Sequence, residues 1–80
     1  MDQLHIQHVS PQSLRPYAGN ARTHSKKQIR QIARSIERFG FTNPILVSDQ
    51  HEVIAGHGRL AAANYLGLTS VPIVVLSSLS

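Results

Sequence analysis

The stretch Val53-Ile-Ala-Gly-His-Gly-Arg-Leu-Ala-Ala-Ala63 decides the fold. Apolar, β-favouring residues run into two glycines and then into an alanine-rich segment. That order predicts a strand that turns directly into a helix over Arg59 to Leu66, since alanine favours helix and permits close packing. Gly67 is the expected stop, with Leu68 placed to make the apolar contact of a Schellman cap. At the strand-to-helix turn, first-turn backbone N–H groups lack intrahelical partners and the helix dipole adds positive charge. Together these form an anion site. Gly56 and Gly58 would let an oxygen ligand approach the backbone, and Arg59 supplies a fork of donors suited to phosphate. A cation in the first turn opposes the dipole, so helix stability alone does not account for it. Spacing by itself leaves a second reading open: a tight turn with a solvent-exposed Arg. The G-x-G-R pattern lacks the Lys-Ser/Thr of a Walker loop and the third glycine of a dinucleotide fingerprint. His57 likewise reads either as an anion donor or acid–base group, or as a partly exposed turn residue.

Outward from this stretch, Pro44 to Ser48 and Glu52 to Ala55 are apolar runs joined by Asp49-Gln50-His51, which predicts a hairpin. Val71 to Leu76 predicts a buried strand, with Pro72 tolerated only near its start or on an edge. Upstream, Ser25 to Phe39 predicts a helix. Ser25 and Gln28 have capping-box spacing. Ile29, Ile32, Ala33, Ile36 and Phe39 recur at helical period and form a core stripe about 120° wide. Gly40 is the stop. Leu4, Ile6 and Val9 suggest an edge strand that Ser10-Pro11 breaks. Ser13 to Tyr17 reads as a turn or short helical piece, and residues 17–24 as a polar loop. The order is β-α-β-β-α-β: four short strands and two main helices. This is a small α+β (mixed α/β) domain with its helices against one face of the sheet.

Length and charge narrow the function. Eighty residues make one domain, and a core of this size is marginal, burying about 60–65% of the unfolded surface. Residues 77–80 read as a tail, and the whole as a module of a longer chain. With no Cys, disulfides, thiolate metal sites and Cys nucleophiles are excluded. The longest apolar run, Val71 to Leu76, is too short to cross a membrane, and MDQLHIQH is not a secretory signal. A cytoplasmic protein is expected. Eight Lys and Arg against four Asp and Glu give a net charge of +4. Seven of the cations lie between Arg15 and Arg38. Lys26, Lys27, Arg30, Arg34 and Arg38 share a second arc of about 120° on the first helix, away from the apolar one. That asymmetry suggests nucleic acid or nucleotide as partner; the alternative is cations that only solubilise a helix. The histidines show no ligand spacing and metal binding is not expected.

From about Ile6 to Leu76 the chain resembles the N-terminal domain of the ParB/sulfiredoxin superfamily, often labelled ParB-like nuclease domains. The resemblance rests on Leu14-Arg-Pro-Tyr17, Asn20-Ala-Arg22, Phe39-Gly40-Phe41, Asn43-Pro-Ile-Leu-Val47 and Ile54 through Ala63, in that order. In chromosome-partition ParB proteins a G-E-R-R-x-R segment binds the triphosphate of CTP. Gly56 and Arg59 match it, while His57, Gly58 and Ala61 replace its acidic residue and two of its arginines. That substitution weighs against CTP hydrolysis or a CTP-driven clamp. The resemblance implies that Asn43, Pro44 and Ile45 contact a base. It implies that Asn20, Arg22 and His24 approach phosphates from the loop. In sulfiredoxin the turn reads G-C-H-R and its Cys reacts; His57 stands there, so sulfinic-acid reduction is not expected. The wording around Gly56 is most like the domain preceding phage and bacterial DNA-modification methyltransferases. The expected ligand is a nucleoside triphosphate, CTP or ATP, with Mg²⁺ as its companion. The expected partner is DNA, docked on Lys26, Lys27, Arg30 and Arg34, with a methyltransferase portion downstream. Two other readings stay open: a small nuclease or nucleotide-dependent phosphotransferase, disfavoured by the shortage of carboxylates for Mg²⁺, and an interaction module that forms a homodimer.

Overall fold

A computed structural model describes residues 5–16 and 24–76. Its elements are β1 (Ile6–Val9), a 3-10 turn (Pro11–Ser13), α1 (Lys26–Phe39), β2 (Ile45–Val47), β3 (Val53–Ala55), α2 (His57–Leu66) and β4 (Val71–Val75). The order of strands and helices is the expected one. Leu4, Tyr17, Asn20, Arg22 and the 77–80 tail lie outside the described residues.

The four strands form one mixed sheet in the order β1-β4-β2-β3. The hairpin pairs β2 with β3 antiparallel. Helix α2 then carries the chain from β3 back past β2 to β4, which runs parallel to β2. β1 closes the far edge, antiparallel to β4. β4 is therefore an interior strand, yet it contains Pro72. The residue is tolerated because β4 pairs with β2 only from Ile73 onward. Pro72 lies opposite His8 of β1 alone, in the first two residues of the strand.

Alternate residues of the central strands point to one face. Ile45, Val47, Val53, Val71 and Ile73 are fully buried there and pack with Leu14, Leu60 and Ala63. α2 lies on β2, and α1 packs chiefly on α2. Leu68 packs on the same core after a Schellman end: its N–H donates to Ala63 O at 3.0 Å and that of Gly67 to Asn64 O at 3.1 Å.

Three local expectations change. The segment after β1 is a 3-10 turn at Pro11–Ser13, with Pro at its first position, so it starts two residues before the turn or short helical piece expected from Ser13. Arg15 instead extends beside the hairpin, its N–H donating to His51 O at 2.9 Å and its O accepting from Val53 N–H at 2.8 Å. Phe39 does not complete the core stripe of α1. It is 67% exposed, with the Arg38 guanidinium 5.4 Å from its ring centre. Finally, α2 begins at His57, two residues before the expected start.

Candidate functional site

That early start rebuilds the glycine turn. Gly56 is the residue before α2 and adopts φ +103°, a left-handed conformation open to glycine. A Cβ there would also sit 3.3 Å from Ile45 Cα and Cγ1. Gly58 lies inside the first helical turn and is buried. A Cβ on it would stand 2.9 Å from Ile32 Cδ1 and 3.0 Å from His24 Nε2. Each glycine thus has a packing reason. Gly56 lets the chain turn over β2, and Gly58 lets α1 and His24 close on α2.

The two helix starts differ in how they are satisfied. At α1 the Ser25 hydroxyl accepts from Gln28 N–H at 3.1 Å, and Gln28 Oε1 accepts from Ser25 N–H at 3.1 Å. This is the reciprocal box the spacing predicts. At α2 the capping position is held by Gly56, which has no side chain to donate or accept a capping bond. The first backbone bond is Leu60 N–H to Gly56 O at 2.9 Å. The positive end of the α2 dipole lies at this turn.

In front of it lies an open cleft of about 610 Å³. Its floor is Gly56, His57, Gly58 and Arg59. His24 borders it from the residue before the α1 cap, and Asn43 from the segment entering β2. Six of the ten residues expected at a nucleotide or phosphate site are thus brought together. Ile45 is fully buried behind the turn and, like Pro44, does not line the cleft. Asn20 and Arg22 lie outside the described residues. Further lining comes from Ser35 and Ile36 on α1, Phe41 and Thr42 before β2, and Ile54 on β3. Ile54 is 44% exposed and adds an apolar side chain to the lining. Among the described residues lining the cleft there is no Asp or Glu. His24, His57 and Arg59 set a local character fit for an anion, which is the test a nucleotide must pass here. The metal of a metal–nucleotide complex would find no carboxylate on these walls.

Lys26, Lys27, Arg30 and Arg34 are all exposed on α1 and none lines the cleft. At about 100° per residue, Ile32, Ser35 and Ile36 face the cleft from the side of the helix opposite the cationic arc. The two sets of candidate residues occupy different faces of α1. Among the described residues no three His, Asp or Glu side chains gather as a metal site. No helix there is long and apolar enough to cross a membrane.

A four-stranded mixed sheet with two helices in this order is a small α+β fold shared by ParB N-terminal domains and sulfiredoxin. The family model of the ParB N-terminal domain matches residues 1–79, and the chain belongs to that family. It is 51% identical over 79 residues to the ParB-like nuclease domain-containing protein YnaK of Escherichia coli (strain K12), covering 99% of this chain and 91% of that one. It is 33% identical over 76 residues to a probable chromosome-partitioning protein ParB of Xylella fastidiosa, of which it spans 23%. Among solved structures, a truncated Caulobacter crescentus ParB complexed with CTP-gamma-S superposes with a TM-score of 0.81 at 28% identity. That match covers 91% of this chain and 44% of the Caulobacter one. Sulfiredoxin from Arabidopsis thaliana shares the fold, with a TM-score of 0.80 at 21% identity over 92% of this chain and 86% of that one.

Proposed function

We propose that this chain is a DNA-associated module that binds a nucleoside triphosphate in the cleft at the start of α2. The observation that carries the reading is the convergence of His24, Asn43, Gly56, His57, Gly58 and Arg59 on one cleft that no described carboxylate lines. The floor groups hold phosphate: Arg59 as a planar fork, the first turn of α2 through its backbone and dipole. Asn43, Thr42 and the apolar Ile54 side chain take the less polar end of the ligand. CTP is the first candidate, since a ParB relative of this fold was solved with CTP-gamma-S. ATP is the second. The exposed cations Lys26, Lys27, Arg30 and Arg34 dock DNA through phosphate contacts, which position the domain without reading sequence. A related ParB has been solved on its centromeric parS site.

The expectation of a methyltransferase portion in the same chain gains no support from the relatives, since the Escherichia coli protein is matched over 91% of its own length. The nuclease reading is favoured by that relative's name alone. The described residues bring no three metal-ligating side chains together on which to build it.

A thermal-shift screen with CTP, ATP, GTP, S-adenosylmethionine and sulfate tests the cleft. A shift with one triphosphate, lost in Arg59→Ala, is the expected result. No shift with any triphosphate would remove the reading. Fluorescence polarisation with duplex DNA at two salt concentrations tests the second face. Binding that weakens steeply with salt is expected, and absence of binding at low salt would remove the DNA assignment.

A further inference from the structure

The cationic arc of α1 ends beside an aromatic ring. Lys26, Arg30, Arg34 and Arg38 follow one another at four-residue spacing, with Lys27 in the same arc. They make a stripe about 18 Å long. All five are exposed, and the helix carries one acid, Glu37. Arg38 joins the stripe to Phe39, which is 67% exposed and has the guanidinium carbon 5.4 Å from its ring centre.

Phe39 belongs by period to the apolar arc, but the core does not reach it. It is neither in the buried cluster nor among the side chains packed against that cluster, and it does not line the cleft. A lone exposed apolar side chain is ordinary on a protein surface. Tyr65 is one: it is 60% exposed on α2, whose single cation, Arg59, lies about 120° away around the helix. Phe39 differs because a row of cations runs up to its ring. That combination selects its partner by charge. A second copy of the chain, seated here by a twofold axis, would set one cationic stripe against another. A duplex offers phosphates to the stripe but keeps its bases inside the stack. A single strand offers both phosphates and unpaired bases, whose flat faces stack on an aromatic side chain. The Arg38 guanidinium is planar and stacks on rings as well.

We propose that the outer face of α1 binds single-stranded DNA, with the cations along its phosphates and an unpaired base stacked on Phe39. This rests on the DNA-docking reading of that face and names the form of DNA it takes. Every base has a flat face, so the surface tolerates any sequence.

The chain has no tryptophan, so Phe39→Trp places a single indole at the stacking position. Its fluorescence should be quenched by a thymidine strand and left unchanged by an abasic strand of equal length, which carries the same phosphates without bases. In fluorescence polarisation, Phe39→Ala should weaken binding of the thymidine strand about tenfold, within the range of one base stacked on an aromatic ring. Its affinities for the abasic strand and for duplex should stay at the wild-type values, and so should the salt slope, because stacking releases no counterions. Tyr65→Ala should leave all of these unchanged. Indole fluorescence that a bound thymidine strand does not alter overturns the proposal. So does an equal loss of thymidine-strand and duplex binding in Phe39→Ala, or no loss at all. With duplex still bound in a salt-dependent way, those results remove the stacking and leave the docking reading intact. No binding of strand or duplex at low salt removes both.

Discussion

The two helices reach their place by opposite routes. α1 has 14 residues and a wide apolar stripe facing a cationic one, yet only Ala33 is fully buried. α2 has 10 residues and little amphipathic pattern, yet Gly58, Leu60, Ala62 and Ala63 are all buried. α1 closes its own start with Ser25 and Gln28. α2 starts on a left-handed glycine that offers no cap. A helix that carries its own pattern and cap can present a free face to solvent. A helix made by tertiary packing can leave its start open, because neighbours supply the stability that a cap would have given. In this molecule the glycine start of α2 is where the cleft lies.

The largest expected effect tests the difference in burial directly. Leu60→Ala on α2 should destabilise by about 3 kcal/mol, the transfer and cavity cost of a buried leucine. Ile36→Ala on α1, half-buried at the cleft, should cost about a third of that. Urea denaturation of both variants reads the gap. Equal losses would mean that α1 is as much a core element as α2 and would break the comparison.

Gly56→Ala comes next. It forces an L side chain to φ +103° and sets its Cβ 3.3 Å from Ile45 Cα, a backbone atom that cannot swing aside. A loss of about 2 kcal/mol is expected. A variant as stable as wild type would show that the turn can relax and that the left-handed start of α2 is not required. Ser25→Ala should cost about 1 kcal/mol by removing the reciprocal cap of α1. A cost near zero in thermal unfolding would mean that α1, too, is held by its neighbours.

The same contrast explains what could be read from the chain. The period of Ile29, Ile32, Ala33 and Ile36 and the Ser25–Gln28 spacing are local signals, and α1 is found where they place it. The hairpin and the Gly67–Leu68 stop are local in the same sense. Phe39 shows the limit, because period marks a direction around a helix and not how far the partner surface extends. The start of α2 lies two residues before the point that sequence alone indicates, because glycine disfavours helix. Contact with Ile32 and His24, distant in sequence, overrides that preference at Gly58. Of the cleft, the turn from Gly56 to Arg59 was legible as strand, glycines and helix. Asn43 and His24 were reached through the family resemblance. Ser35, Thr42 and Ile54 carry no local mark: they belong to three elements whose facing sides are set by packing alone. The same packing put Ile45 in the core and not in the cleft.

The smallest effect on stability is the most informative about the outer face of α1. Lys26, Arg30, Arg34 and Arg38 follow one another at i, i+4, so each is the neighbour of a like charge along the helix. Such pairs destabilise a helix by about 0.2–0.5 kcal/mol each. A stripe that only kept the helix soluble could intersperse carboxylates and avoid this cost; here Glu37 alone falls within the arc. Arg30→Gln removes two of the repulsive pairs and should stabilise the fold by about 0.5 kcal/mol. It should also weaken duplex binding and make the dependence of log K on log salt shallower by about one. The two effects have opposite signs, which a structural role cannot produce. If Arg30→Gln instead lowers stability and leaves the salt slope unchanged, the cations serve α1 itself. The outer face of α1 would then be as much a packing device as the inner faces of α2.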